Sequence, residues 1–340
     1  MEKTKELLKA LCALPTFSGV EREHIGALSA LCSEHFDKIS ADKVGNIIFE
    51  KKCGKSGAKK LVLDAHIDII GLMVNKILEK GFLGVAPIGG IDRRTLPSAE
   101  VTVYGKKELY GVIASIPPHL AKGNNVPEWD DIIIDTGLTK EEVEEIVSLG
   151  DRAQIYAPFT ELCNNFVMCG GLDNRACLCA CLCGVMNARE LNYDVYVVAS
   201  AQEETGPFLS RTAIYEIKPD YVITTDVNFA REQGIEKRDS IECAKGPSVD
   251  ISSLVSRELS RGILKLAKEN NVPCQVIVEP TRTGTNNDVL SVTGVGALNA
   301  LMSIPLKAMH TTCECVCLSD VKALGDIISL ILEAKEDTLC

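Results

Sequence analysis

Basic charge is scarce in this sequence relative to acidic charge. Its 340 residues include 36 lysines and arginines against 47 aspartates and glutamates, a net charge of −11 at pH 7. Nucleic acids and anionic membrane surfaces both bind basic patches, so this balance argues against either as a main partner. Small neutral or cationic ligands are more compatible with it.

Long apolar runs are also missing. No stretch reaches the 18 or so apolar residues of a transmembrane helix, and the first six residues, MEKTKE, are too charged to begin a signal peptide. We therefore expect a cytoplasmic protein without a membrane partner. Internal repeats and low-complexity tracts are absent as well. Hydrophobic residues make up 46% and charged residues 24%, which is ordinary for a globular protein.

Cysteine, in contrast, is abundant, with 15 residues. A chain of this length can build a large core without disulfides, so we expect reduced thiols. Four of the cysteines alternate along one segment: Cys177, Cys179, Cys181 and Cys183. The flanking residues favour a helix of about fifteen residues, which would send the four sulfurs around its cylinder. Buried small side chains are therefore favoured over an iron–sulfur site.

The order of predicted elements indicates an α/β protein with one insertion. Short apolar runs at 61–63, 195–199 and 221–225 predict buried strands, and amphipathic patterns predict helices elsewhere. Between residues 71 and 156 the pattern changes to short β-rich segments separated by glycine and proline turns, with one clear helix at 139–149. We expect segments 1–70 and 157–340 to form one α/β domain and segment 71–156 a small β domain inserted into it.

Acidic and histidine side chains follow several predicted strands. Glu203 and Glu204 come just after the strand at 195–199, His66 and Asp68 follow the strand at 61–63, and Asp226 ends the strand at 221–225. Ligands of open α/β sheets bind at the carboxyl ends of strands. Successive side chains in extended backbone point in opposite directions. One of the two glutamates can therefore bind a metal while the other faces the substrate and transfers protons.

Each of these signals is weak alone. Adjacent glutamates are more often solvated acids in a turn, a strand-end histidine can be a packed core residue, and Asp173 at a predicted helix start is most often an N-cap. Together, two imidazoles and three carboxylates lie at predicted element ends: His66, Asp173, Glu204, Asp226 and His310. That set suits two Zn²⁺ or Co²⁺ ions that share one bridging carboxylate.

On these residues the sequence resembles the metallo-aminopeptidases of the glutamyl, deblocking and tetrahedral aminopeptidase family. The shared motifs are A-H-x-D at 65–68, G-x-L-D-[DN]-R at 170–175 and Q-E-E-x-G at 202–206, and the resemblance runs nearly end to end. It implies a zinc-exopeptidase-like catalytic domain of three α/β/α layers with a mixed sheet, and a barrel-like dimerisation domain at 71–156. It also implies removal of N-terminal residues from short peptides by a homo-oligomer, a dimer or a dodecamer.

The resemblance further implies the ligands of two metal ions, zinc or cobalt. Asp173 would bridge the ions, with His66 and Asp226 completing one site and Glu204 and His310 the other.

The same resemblance implies roles for the residues next to the ligands. Glu203 would be the general base and acid, Asp68 would orient His66, and the peptide bond between Asp173 and Asn174 would be cis.

The sequence departs from the family pattern at three sites, one of which is a pair of residues. Ile69 stands where members commonly have glutamate, Asn286 where they have aspartate, and Pro207-Phe208 where they have Leu-Arg. None is an expected ligand or base, but all lie near the expected site, so substrate preference and full activity stay open. The alternatives are a deacylase or a carboxypeptidase-like hydrolase on the same architecture, an endoglucanase, as some relatives are named, or a non-catalytic assembly protein. Glu203 argues against the last, because a structural site needs no base.

Overall fold

A computed structural model describes residues 1–117, 119–120, 126–206 and 208–339. Pro207, the first residue of the Pro207-Phe208 departure, lies outside these ranges. The strands in the described ranges are β1 (Lys38–Ala41), β2 (Ile47–Lys51), β3 (Lys60–His66), β4 (Gly71–Ile77), β5 (Leu83–Ile88), β6 (Glu100–Tyr104), β7 (Glu108–Ile113), β8 (Ile133–Asp135), β9 (Arg152–Ile155), β10 (Thr160–Glu161), β11 (Phe166–Cys169), β12 (Asp194–Ser200), β13 (Tyr221–Phe229), β14 (Ser248–Ser252), β15 (Gln275–Glu279), β16 (Leu298–Leu306) and β17 (Glu314–Cys317). The α-helices are α1 (Glu2–Cys12), α2 (Ile25–Cys32), α3 (Lys140–Ile146), α4 (Leu172–Asn187), α5 (Arg211–Ile217), α6 (Arg257–Glu269), α7 (Asn287–Leu290), α8 (Leu318–Glu333) and α9 (Glu336–Leu339).

The larger part of the chain is organised around an eight-stranded mixed sheet. Its strand order is β1-β2-β12-β3-β13-β16-β14-β15, and the central strands β12, β3, β13 and β16 are parallel. Helices α1, α4, α6 and α8 pack on one face, and α5 and α7 on the other. Because both faces are covered, the central strands contain runs of buried apolar residues, which is why they stand out in the sequence.

A closed barrel is inserted between β3 and β10. Its strands follow the order β4-β5-β8-β7-β6-β9, and each neighbouring pair is antiparallel. The barrel has its own core, which includes Val74, Leu83, Val103 and Ile134. The fold-class prediction, a three-layer α/β domain with an inserted barrel-like domain, is confirmed.

Helix α4 is buried on almost every side, which explains its unusual composition. Cys177, Cys179 and Cys181 are fully buried, and each thiol makes a hydrogen bond: to the main-chain oxygens of Asp226 and Thr4 and to the hydroxyl of Thr225, respectively. Small side chains let this helix lie between the sheet and α8. The predicted helix with buried thiols is confirmed.

Two predicted boundaries need correction. Strand β13 continues past Asp226 to Phe229, because its pairing with β16 runs on to Leu306, so Asp226 lies within the strand. The helix expected at 139–149 ends at Ile146, and Thr139 caps it. Among the described residues, no helix is both long and apolar enough to cross a membrane.

Candidate metal centre

The five expected ligands come from four parallel strands and one helix. His66 is the last residue of β3, Asp226 lies in β13, Glu204 follows β12 and His310 follows β16. Asp173 lies in the first turn of α4, and its peptide bond to Asn174 is cis. The carboxyl ends of parallel strands meet at one edge of a sheet. The structure brings all five side chains together there.

The carboxylate of Asp173 lies between the two imidazoles. Its Oδ1 is 3.1 Å from His66 Nε2, and its Oδ2 is 3.4 Å from His310 Nε2. Each imidazole also faces a second carboxylate: Asp226 Oδ1 is 3.8 Å from His66 Nε2, and Glu204 Oε2 is 3.5 Å from His310 Nε2. Ligand atoms of His66, Asp173 and Glu204 all lie within 4.8 Å of one another. Asp173 thus presents one oxygen to each of two imidazole–carboxylate pairs.

The electrostatics of this cluster favour a bound cation. Burial, reinforced by the charge of Asp173, raises the pKa of Glu204 well above its ordinary value. Burial also raises the pKa of Asp226, although the nearby His66 opposes the shift. Among the described residues, no lysine or arginine lines the adjoining cavity. Buried carboxylates without such partners are costly, and imidazole and carboxylate together suit zinc and similar divalent ions. The donor set therefore fits divalent metal binding.

Asp68 organises the turn that carries the two glutamates. Its carboxylate accepts hydrogen bonds from Ser18 Oγ at 2.6 Å and from the main-chain N–H groups of Glu203 at 3.0 Å and Glu204 at 3.2 Å. His66 Nδ1 is 3.0 Å from the main-chain oxygen of Asp68 and 3.6 Å from its carboxylate. The main-chain oxygen is therefore the closer partner of the imidazole, and the carboxylate mainly holds the turn.

Glu203 lines a cavity of about 310 Å³ together with His66, Asp173, Asp226 and His310. Burial raises the pKa of Glu203 above its ordinary value. A carboxylate with a raised pKa is a stronger base than an exposed one, which is what proton transfer near neutral pH requires.

The sequence interpretation missed Glu314. Its Oε1 accepts from the N–H of His310 and its Oε2 from the N–H of Asp173, each at 3.1 Å. Burial, with repulsion from Asp173, raises the pKa of this carboxyl to about 8. The only signal in the sequence was an acid at the start of the alternating segment Cys313–Cys317.

Glu21 was also missed. Its carboxylate accepts from the N–H groups of Gly19 and Gln202, both at 2.9 Å. It therefore ties the turn before the glutamate pair to the N-terminal segment. The spacing of Ser18 and Glu21 has the form of a helix capping box, but no side-chain cap forms at this turn.

Two of the family departures are accommodated by packing and hydrogen bonds. The Asn286 amide donates to Asp64 Oδ2 at 3.1 Å and to Ser200 Oγ at 2.8 Å, and its oxygen accepts from Ser210 at 3.1 Å. An ionised aspartate could not donate to Asp64, so asparagine suits these neighbours. Ile69 is buried in a small apolar cluster with Phe17.

A comparison with known families agrees with this geometry. The model of the family described as M42 glutamyl aminopeptidase matches residues 45–327. The chain belongs to the M42 family. It is a metal-dependent aminopeptidase, a hydrolase that acts on peptide bonds.

Individual relatives match the M42 chain over nearly its whole length. The lysyl aminopeptidase of Pyrococcus furiosus is 34% identical over 341 residues, covering 98% of this chain and 96% of the relative. An aminopeptidase structure from Desulfurococcus kamchatkensis superposes with a TM-score of 0.92 at 28% identity, covering 99% and 97% of the two chains. A Thermotoga maritima structure named endoglucanase has a TM-score of 0.79 at 26% identity, covering 98% and 97%.

Proposed function

We propose that the enzyme removes N-terminal residues from short peptides at a centre of two divalent metal ions, zinc or cobalt. The observation that carries this proposal is the position of Asp173, with one carboxylate oxygen near each of two histidines. His66 and Asp226 would hold one ion, Glu204 and His310 the other, and Asp173 would contact both. When bound, the ions would supply Lewis acidity that polarises the scissile carbonyl and makes water a stronger acid.

Glu203 would move the proton. It accepts a proton from the attacking water as the water oxygen bonds to the carbonyl carbon, and it delivers that proton to the leaving amine as the carbon–nitrogen bond breaks. Its burial and raised pKa support this role. Asp68 supports the geometry, because its carboxylate anchors the main-chain N–H groups of Glu203 and Glu204.

We propose further that residues 71–156 form a dimerisation domain through which the chain assembles into a homo-oligomer, a dimer or a dodecamer. The barrel contains none of the expected ligands, yet it exposes apolar surface at Tyr110, Val112 and Tyr156. A related structure from Pyrococcus horikoshii is described as able to assemble into a tetrahedron or a large octahedral shell, and another as a dodecamer. A cytoplasmic location would keep the many free thiols reduced.

A substrate panel tests the proposed activity. The metal-loaded protein is incubated with aminoacyl-p-nitroanilides, N-acyl amino acids and carboxymethylcellulose, and we expect turnover of the aminoacyl substrates alone. Hydrolysis of either other class, with none of the aminoacyl substrates, would overturn the proposal in favour of a deacylase or an endoglucanase.

The variant Glu203→Gln tests the mechanism. It removes the base while keeping the side-chain shape, so kcat should fall by about 10²–10⁴-fold or more with metal content unchanged. Elemental analysis and steady-state kinetics provide the measurements, with the exposed Glu216→Gln as control. An undiminished kcat at normal metal occupancy would remove Glu203 from the mechanism.

A further inference from the structure

The cavity beside the proposed metal centre has a second acidic wall. His66, Asp173 and Asp226 lie on the side of the proposed metal centre, whereas Asp250 and Glu279 line the same cavity from strands β14 and β15. The proposed ions would balance the charge of their ligands. Asp250 and Glu279 would have no such cationic partner, because no lysine or arginine within the described ranges lines this cavity.

Glu279 is positioned to accept a donor from a ligand. Its Oε1 accepts a hydrogen bond from Asn228 Nδ2 at 3.0 Å, which fixes the carboxylate. Its Oε2 is buried and has no hydrogen-bond partner within the described structure. Glu279 lines the cavity and buried acceptors are normally satisfied, so its carboxylate is a candidate partner for a donor group on a ligand.

Asp250 lies on the neighbouring strand and adds to the negative potential near Glu279. Both of its oxygens are occupied, by the hydroxyls of Ser248 at 2.6 Å and Ser303 at 2.8 Å. Burial raises the pKa of Asp250 to about 7, and repulsion from Glu279 contributes to the rise. A cation placed at Glu279 would relieve this repulsion.

The spacing along β13 fits a long basic side chain. Asp226, a proposed ligand, and Asn228, which holds Glu279, are two residues apart on the same face of the strand, about 7 Å. A lysine carries its ammonium at the end of a four-carbon stem, which covers a comparable distance. Leu301 and Met309 also line the cavity and offer apolar surface to such a stem.

We propose that Glu279 binds the ammonium or guanidinium group of an N-terminal lysine or arginine, so that the enzyme prefers peptides with a basic first residue. This inference rests on the proposed aminopeptidase function. Glu279 acts as a specificity-determining residue: its unpaired Oε2 accepts from the cationic head, and the field of Asp250 favours positive charge at the same position.

Lysine and norleucine provide a matched substrate pair, because norleucine has a similar chain length without the charge. With p-nitroanilides of both, the metal-loaded wild type should show kcat/KM at least about tenfold higher for lysine, since a buried charge pair discriminates strongly against a neutral analogue. In Glu279→Gln the ratio of kcat/KM for lysine to kcat/KM for norleucine should fall towards one, mainly because kcat/KM for the lysine substrate decreases. Glutamine keeps the oxygen that accepts from Asn228, so the fold should be retained, as thermal unfolding would check.

A binding measurement avoids dependence on turnover. Calorimetry with free L-lysine and L-norleucine should show tighter binding of lysine to the wild type and loss of that difference in Glu279→Gln. The exposed Glu236→Gln serves as a control for a change of one surface charge and should keep the lysine preference.

Failure of this inference can be distinguished from failure of the proposed aminopeptidase function. If aminoacyl substrates are cleaved but lysine and norleucine are treated equally, or if Glu279→Gln keeps the lysine preference in both measurements, the inference is overturned and the aminopeptidase function stands. If no aminoacyl substrate is cleaved by the metal-loaded wild type, the proposed function itself fails.

Discussion

Glu314 is a single side chain that positions two proposed ligands at once. It is almost completely buried and accepts hydrogen bonds from the N–H groups of Asp173 and His310 through its two oxygens. The distance between the Asp173 carboxylate and the His310 imidazole therefore depends on a residue that itself need not touch a metal. Residues that orient ligands in this way commonly affect metal affinity as strongly as some ligands do.

The variant Glu314→Gln should weaken metal binding while leaving the fold intact. Glutamine retains one accepting oxygen, but its amide N–H₂ would oppose a main-chain N–H, so one hydrogen bond is lost. We expect a decrease in metal affinity of about 10–100-fold, measured by chelator competition. The exposed Glu242→Gln should leave the affinity unchanged, and normal affinity in Glu314→Gln would show that the main chain holds its position without this carboxylate.

At the scale of elements, the contact between α4 and α8 requires a glycine. A Cβ added at Gly184 would lie 2.4 Å from Cγ2 of Ile328 and 3.1 Å from the main-chain oxygen of Gly325. The two helices therefore approach more closely than any larger residue at this position would allow. Because α4 also carries Asp173 in its first turn, this packing helps to fix the position of Asp173 in the proposed metal centre.

Gly184→Ala should destabilise the protein by about 1–3 kcal/mol, the usual cost of overpacking a core. Urea unfolding of the metal-free protein measures the effect. Gly26→Ala is a matched control in helix α2, where the added Cβ meets nothing within 4 Å; there we expect no loss, or a gain of up to about 1 kcal/mol from helix propensity. Equal stability of Gly184→Ala and the wild type would mean that α8 shifts to accept the methyl group.

The whole molecule combines a catalytic α/β domain with a barrel that carries none of the expected ligands or the base. Strand β7 of the barrel exposes Tyr110, with 68% of its surface accessible, and Val112 two residues later on the same face. Exposed apolar residues grouped in this way are typical of protein–protein contacts. A symmetric contact through the barrel would leave the catalytic edge of the sheet free in each subunit.

Light scattering of the wild type should therefore give a multiple of the 36.8 kDa chain mass. Tyr110→Asp should shift the population towards smaller species, because it places a charge on the proposed contact. Tyr215→Asp changes a tyrosine of equal exposure, 68%, on α5 of the catalytic domain and should have less effect. A wild-type monomer that persists at micromolar concentration would refute self-association. If Tyr110→Asp forms an oligomer of unchanged size, the contact lies elsewhere on the chain.

The sequence by itself determined the α/β class, the inserted β segment and the candidate residues at strand ends. These features follow from local patterns: apolar runs predict buried strands, and the chemistry of a histidine or an acid at a strand end is visible in the residue itself. The metal roles of His66, Asp173, Glu204, Asp226 and His310 came from the family resemblance and remain predictions, although the structure places these side chains together.

Only the tertiary structure revealed what surrounds those residues. Glu314 reaches the main chain of Asp173 across 141 positions of sequence, and Glu21 reaches Gln202 across 181. The acidic wall of Asp250 and Glu279 exists because β14 and β15 lie beside β16 in the folded sheet. No local periodicity encodes such contacts, since they depend on how distant segments of the chain pack together.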